Sequence, residues 1–193
     1  MGKLVSEVEA HSILRKHFQT IYGVMNESIQ SLNVILGASD ESLSKSVKAQ
    51  TFHNLAIEKA NKAFKGTQGV NVVKKYNSIM IVFDQKLVAR VKKINGKDLS
   101  SNNSTKRSNK VSDHTLKLLN LPDLTFIDLG YNTDETWTEF ERLKVVCRIK
   151  NDIQWRIPFN ENDLEITLKT DTINLDIKPE KQIVVKRKAN GND

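Results

Sequence analysis

The sequence lacks most of the familiar marks of export, metal binding and catalysis. It holds one cysteine in 193 residues, Cys147. A single thiol excludes an internal disulfide and any multi-cysteine zinc site, and fits a reducing cytoplasm. Eight glycines are scattered along the chain, with no GxGxxG, GxSxG or P-loop string among them, so the usual phosphate cradles are missing. The four histidines, His11, His17, His53 and His114, never fall at the i, i+4 spacing that sets two imidazoles on one helix face. Surface or capping roles are expected for them. Cys147 sits in the apolar run Val145-Val146-Cys147, where a core thiol is expected rather than a nucleophile. No apolar run approaches the ~20 residues of a membrane span, and the N-terminus has no apolar signal core. A cytoplasmic chain with no membrane partner and no cofactor is expected.

Apolar residues make up 38% and charged residues 27%, a globular composition. The net charge is +7, and its distribution says more than its sum. Lys86, Arg90, Lys92, Lys93, Lys97, Lys106, Arg107 and Lys110 stand against one acid, Asp98, in a single window. Residues 123–141 carry Asp123, Asp128, Asp134, Glu135, Glu139 and Glu141 and no Lys or Arg. Lys178, Lys181, Lys186, Arg187 and Lys188 make the C-terminal end basic again.

Hydrophobic spacing predicts helices first and strands after. Leu14, Phe18, Ile21, Met25, Leu32 and Ile35 alternate by four and three, broken only by Ser28, so residues 4–36 read as one long helix, with Gly23 the place for a kink or a break. Ser39 or Asp40 is expected to cap a second helix, whose apolar face is Leu43, Val47, Phe52, Leu55, Ala56, Ala60, Ala63 and Phe64 and which Gly66 ends. From Val70 the period becomes two. Strands at Val70–Val73, Ile79–Phe83 and Leu87–Lys92 form a predicted antiparallel meander, with turns at Asp84-Gln85 and Asn95-Gly96. In its third strand Leu87, Ala89 and Val91 are expected inside, with Arg90 and Lys92 on a basic outer face. Residues 97–110 read as a polar loop, followed by a short helix over 113–120 carrying Leu116 and Leu119. Strands resume at Leu124–Tyr131, Glu139–Lys150 and Ile153–Phe159, with further alternation over 164–185. The fold class is α+β: an N-terminal antiparallel helical hairpin (1–66), a largely antiparallel sheet with one short helix (69–178) and a basic C-terminal strand and tail (179–193), in one domain spanning 1–193.

Three functional classes follow. The basic window predicts a polyanion partner, DNA or RNA, bound through Lys86, Arg90, Lys92, Lys93, Lys97, Lys106, Arg107 and Lys110, in a salt-dependent manner. No aromatic interleaves with those cations, which argues against a base-stacking platform. The order helix, meander, short helix, strand resembles the αβββαβ core of PD-(D/E)xK nucleases. Asp84 stands where their first acid would be and Lys92 where their lysine would be. Arg90 replaces the second acid, which removes a metal ligand and adds a repelling charge. A second partial match, Asp176-Ile177-Lys178 preceded by Asp163 and Asp171, is a triplet common by chance in a charged chain. The third class is interaction with protein: a homodimer paired through the first helix as a coiled coil, or a partner bound by Tyr131, Trp137 and Phe140 among their acids, which read equally as core.

Several strings carry a resemblance: Val88–Lys93 (VARVKK), Ser100–Thr105 (SSNNST), Leu121-Pro122, Leu129-Gly130-Tyr131 with Thr138-Glu139, and Trp155-Arg156-Ile157. Over roughly the middle third, the chain resembles small bacterial proteins carried by prophages and other mobile elements, a family without established activity. The resemblance implies a genetic setting and no catalytic residue. It also implies that Lys92, Lys93 and the Ser/Asn/Thr loop form the site. A non-enzymatic binding or regulatory role is therefore expected.

Overall fold

The computed structural model describes residues 4–38, 43–75, 78–100, 105–118 and 123–159. The alternation expected over 164–185, the Asp163, Asp171 and Asp176 set and the basic end from Lys178 lie outside them.

Helix α1 (Glu7–Arg15) starts at Ser6, whose hydroxyl accepts from the Glu9 N–H, and has Glu7 and Glu9 in its first turn, where the helix dipole favours acids. Helix α2 (Phe18–Gly37) follows after two residues. The single helix expected over 4–36 thus breaks at Lys16–His17, while Gly23 lies inside α2. The break has a packing cause. It carries the His17 ring into the core, 5% exposed, with centroids 5.9 Å from Phe64 and 5.2 Å from Phe83. His17 is therefore not a surface histidine.

Most of the apolar stripe is consumed inside the chain, and Ile35 at its end is exposed. Leu14, Phe18, Ile21, Met25 and Leu32 are buried. Ser28 interrupts the stripe without leaving a buried polar group unpaired, because its hydroxyl donates to the Val24 carbonyl at 2.5 Å. Helix α3 (Lys45–Ala63) packs against α2. Its cap is Ser44, whose hydroxyl accepts from the Val47 N–H; the expected caps Ser39 and Asp40 lie outside the described residues. Phe52, Ala56, Ala60 and Phe64 are its buried face, and Val47 is exposed.

Strands β1 (Val70–Lys75), β2 (Ser78–Phe83), β3 (Leu87–Lys93), β4 (Thr125–Thr133), β5 (Phe140–Ile149) and β6 (Asp152–Pro158) form one sheet in chain order. The meander β1–β3 is antiparallel as expected, with Asp84 and Gln85 at positive φ in the β2–β3 turn. Strands β3 and β4 are parallel, and the remaining pairs are antiparallel. A parallel pair needs a crossover, and residues 94–124 supply it. The class is α+β, helices followed by a mixed, mostly antiparallel sheet.

The crossover differs from expectation in two places. Helix α4 (Lys106–Ser112) forms within the stretch expected to be loop. Its signal is a cap rather than a stripe: Thr105 and Ser108 exchange hydrogen bonds between side chain and backbone in a capping box. Over its described residues, 113–118, the helix expected at 113–120 does not form, since α4 ends at Asp113 and His114 has φ 54. Leu116 and Leu118 still pack on the sheet from irregular chain.

Helices α1–α3 cover one face of the sheet, burying Ile81, Phe83, Leu87, Ala89, Val91, Ile127, Leu129, Tyr131, Val145, Cys147, Trp155 and Ile157. The N-terminal segment is tied across that layer. The Val5 N–H donates to Thr125 Oγ1 at 2.9 Å, and Trp155 Nε1 donates to the Val5 carbonyl at 3.0 Å. Half of the second face is also apolar. Met80, Val82, Val88 and Phe126 are buried there under Val111 and Leu118. The face of β3 expected to be outer and basic is therefore covered, and Arg90 is buried with it.

Candidate nucleic-acid interface

The register of the parallel seam sets Arg90 of β3 beside Asp128 of β4. Arg90 donates from Nε at 3.1 Å and from Nη2 at 2.5 Å to Asp128 Oδ1. The other oxygen, Oδ2, accepts from Arg148 Nε of β5 at 3.2 Å. Arg148 is further fixed by donating from Nη1 to the Lys150 carbonyl at 2.5 Å. A register shift in the β5–β6 ladder falls between Cys147 and Arg148, the sort of irregularity that re-aims a side chain. The side chains of Arg90, Asp128 and Arg148 are 9%, 4% and 14% exposed. Two guanidiniums thus share one buried carboxylate.

This pair of arginines forms part of a cavity of about 340 Å³ between α4, the end of β5 and the β5–β6 turn. Arg90, Lys92, Arg148 and Lys150 supply its cations, and Ser108, Asn109 and Ser112 its neutral polar groups. Asp113 is the one acid among the residues lining it. Beside Asp113, His114 holds β4 to β5: the Phe126 N–H donates to Nδ1 at 2.9 Å, and Nε2 lies 3.0 Å from the Arg148 carbonyl. Both bonds are made at once by a neutral ring protonated on Nε2. Burial lowers the pKa of His114, more than the Arg148 carbonyl and the nearby Asp113 and Asp128 raise it.

Farther along the same face the crossover turn contributes Asp98. Asn95 Oδ1 shapes this turn by accepting from the N–H groups of Lys97 and Leu99, and Asp98 has φ 62. Its carboxylate accepts from Arg156 Nε at 2.8 Å and lies 3.1 Å from Lys144 Nζ. Burial alone would raise its pKa, but the hydrogen bonds from Lys144 and Arg156 outweigh it and hold the carboxyl below the usual range.

The predicted cations scatter. Lys92 lines the cavity. Arg90 lies beneath it, locked to Asp128. Lys97, Lys106 and Lys110 are exposed on the crossover, and Arg107 lies on α4. Lys93 points to the helical face, 4.3 Å over the Trp137 ring, and burial lowers its pKa first, then the charge of Lys45. Lys86 sits at the other end of β3, bonded to Glu9 at 2.6 Å. Asp84 is also at that end, in an ion pair with Lys16 at 3.0 Å. Lys92 and Asp84 are therefore separated by most of β3, roughly 16 Å at about 3.3 Å per residue. Among the described residues no three His, Cys, Asp or Glu side chains are grouped to hold a metal ion. Tyr131 and Trp137 are buried and form an aromatic cluster with Phe52 and Phe140, which makes them core.

Comparison of the chain with protein-family models, curated proteins and solved structures found no match. The site therefore stands on its own geometry. Sequence reasoning missed half of it. Arg148, Lys150, Lys144, Arg156 and Asp128 were not among the expected residues. A signal for three of them was present: Lys144, Arg148 and Lys150 recur with Arg142 at even positions around Val146, the period of one strand face.

Proposed function

We propose that the protein binds nucleic acid, without cutting it, on the half of the second sheet face that α4 leaves open. The carrying observation is the convergence there of Arg90, Lys92, Arg148 and Lys150 from β3, β5 and the β5–β6 turn on one cavity. Lys106 and Lys110 on α4 extend the positive edge. Cations held on rigid strands neutralise phosphates with little loss of side-chain freedom, so this surface suits a sugar–phosphate backbone better than a mobile loop does. The setting that accompanies this reading is a phage or mobile element, where the partner DNA or RNA is close at hand.

The test is fluorescence anisotropy with labelled duplex and single-stranded oligonucleotides across a salt series. Binding weakens steeply with salt, with a log–log slope of roughly −3.6 to −5.4 for four to six duplex phosphate contacts. The double variant Lys92→Ala/Lys150→Ala lowers affinity about tenfold or more and flattens the slope by roughly two. Absence of binding at low salt would falsify the reading, and the same protein retained on an acidic protein partner instead would replace it.

The nuclease reading keeps one supporting observation, the order of a meander, a crossover helix and a strand parallel to β3. Asp84 and Lys92 do not support it as a pair, since they lie at opposite ends of β3. Cleavage with Mg²⁺ or Mn²⁺ that is lost in Asp84→Ala would revive it.

A further inference from the structure

The cavity is net positive: Arg90, Lys92, Arg148 and Lys150 stand against Asp113 in its lining and Asp128 beneath it. Arg90 and Arg148 are both withdrawn from water, yet Asp128 is the carboxylate both of them pair with. A buried cation without its own counter-charge costs several kcal/mol. An anion entering the cavity would supply that charge, and Lys92 and Lys150 line the same space.

A second group of opposite character, Asp113, belongs to the lining of the cavity. Asp113 Oδ1 is buried with no hydrogen-bond partner among the described residues. A carboxylate oxygen accepts only, so it calls for an O–H or N–H donor. One ligand must therefore bring an anion and, a few ångströms away, a hydroxyl or amino group. Inorganic phosphate meets the first demand alone. The interior of a nucleic-acid strand brings only singly charged diesters, which neutralise less of this charge than a phosphomonoester dianion does, in a space of about 340 Å³. That volume is at the small end of ligand pockets and is the size of one nucleotide.

We propose that this cavity binds the phosphomonoester of a single nucleotide, free or at the end of a strand. Its dianion is neutralised by Arg90, Arg148, Lys92 and Lys150. Asp113 accepts from a sugar hydroxyl or base amino group. This rests on the nucleic-acid reading for its ligand class but not for its geometry.

The test uses the full chain and four probes: one oligonucleotide with a terminal phosphate, the same oligonucleotide without it, adenosine 5′-monophosphate and inorganic phosphate. The phosphorylated strand is expected to bind at least tenfold tighter than its dephosphorylated twin, and the monophosphate to compete with it. Lys150→Ala, whose backbone contacts are unaffected, is expected to bring the ratio between the two strands toward one. Asp113→Ala is expected to weaken the monophosphate about fivefold while leaving inorganic phosphate unchanged. Circular dichroism on each variant confirms the fold. Equal affinity for both strands, with no binding of the monophosphate, overturns the cavity proposal and leaves backbone binding standing. Monophosphate binding with no strand bound overturns the broader reading and supports the cavity. Inorganic phosphate competing as well as the monophosphate overturns the role given to Asp113.

Discussion

Asp128 accepts from two arginines while 4% exposed, so its charge matters more than its shape. Asp128→Asn keeps the volume and strands two guanidiniums without a counter-ion. Breaking a buried pair from one side costs about 3–5 kcal/mol, and the urea midpoint of unfolding is expected to fall accordingly, at unchanged slope. A drop below about 1 kcal/mol would mean that water already screens the site. Asp128 was legible in the sequence only as one of six acids in a run. Nothing in a linear charge count tells that the crossover sets it beside Arg90, 38 positions away. Cys147 is the opposite case. Its apolar neighbours announced a core thiol, and burial, together with the charge of Asp128, pushes its pKa up to about 12.

Elements with a repeating apolar pattern were readable, and those held by a local hydrogen bond were not. The strands β4, β5 and β6 fall within a few residues of their expected limits because alternation extends along their length. Helix α4 carries one buried apolar side chain, Val111, so periodicity could not reveal it. Its start depends on Thr105, which accepts from the Ser108 N–H at 3.1 Å. Thr105→Ala is expected to cost about 1 kcal/mol and to fray α4, speeding amide exchange at Ser108 and Asn109 while the strands stay protected. Equal protection in both proteins would show that packing, not the cap, holds α4. The break between α1 and α2 was missed for a related reason. The stripe continues through it in register, and only the burial of His17 between two phenylalanines requires the turn.

At the level of the whole molecule, stability should depend on pH through its histidines. Burial lowers the pKa of His17, His53 and His114, aided at His17 by Lys16 and at His53 by Lys92. The fold prefers the neutral rings, so below the unfolded value of about 6.5 the unfolded chain binds more protons than the native one. Stability is then full above that pH and falls as pH drops through 6 toward 5, by up to about 1.4 kcal/mol per pH unit for each ring. Asp98, whose pKa is lowered, acts in a separate window: its contribution is present above about 3.9 and is lost below it. Urea titrations at pH 7.5, 6.5 and 5.5 check the first window. His114→Gln, which retains a donor and an acceptor, should reduce the slope, and a profile flat from 7.5 to 5.5 would contradict the neutral assignment.

The parallel seam between β3 and β4 has a consequence for how the chain finds its fold. Val88, Ala89, Val91, Phe126, Ile127 and Leu129 are buried on both sides of it, so alternation alone gives little warning of a misaligned pairing. Arg90 and Asp128 do. A slip of one position would turn one of these charges against the apolar helical layer, and a slip of two would set Asp128 beside Val88 or Lys92 and leave Arg90 without its partner. The ion pair thus works as a key that admits one alignment of two otherwise interchangeable hydrophobic strands.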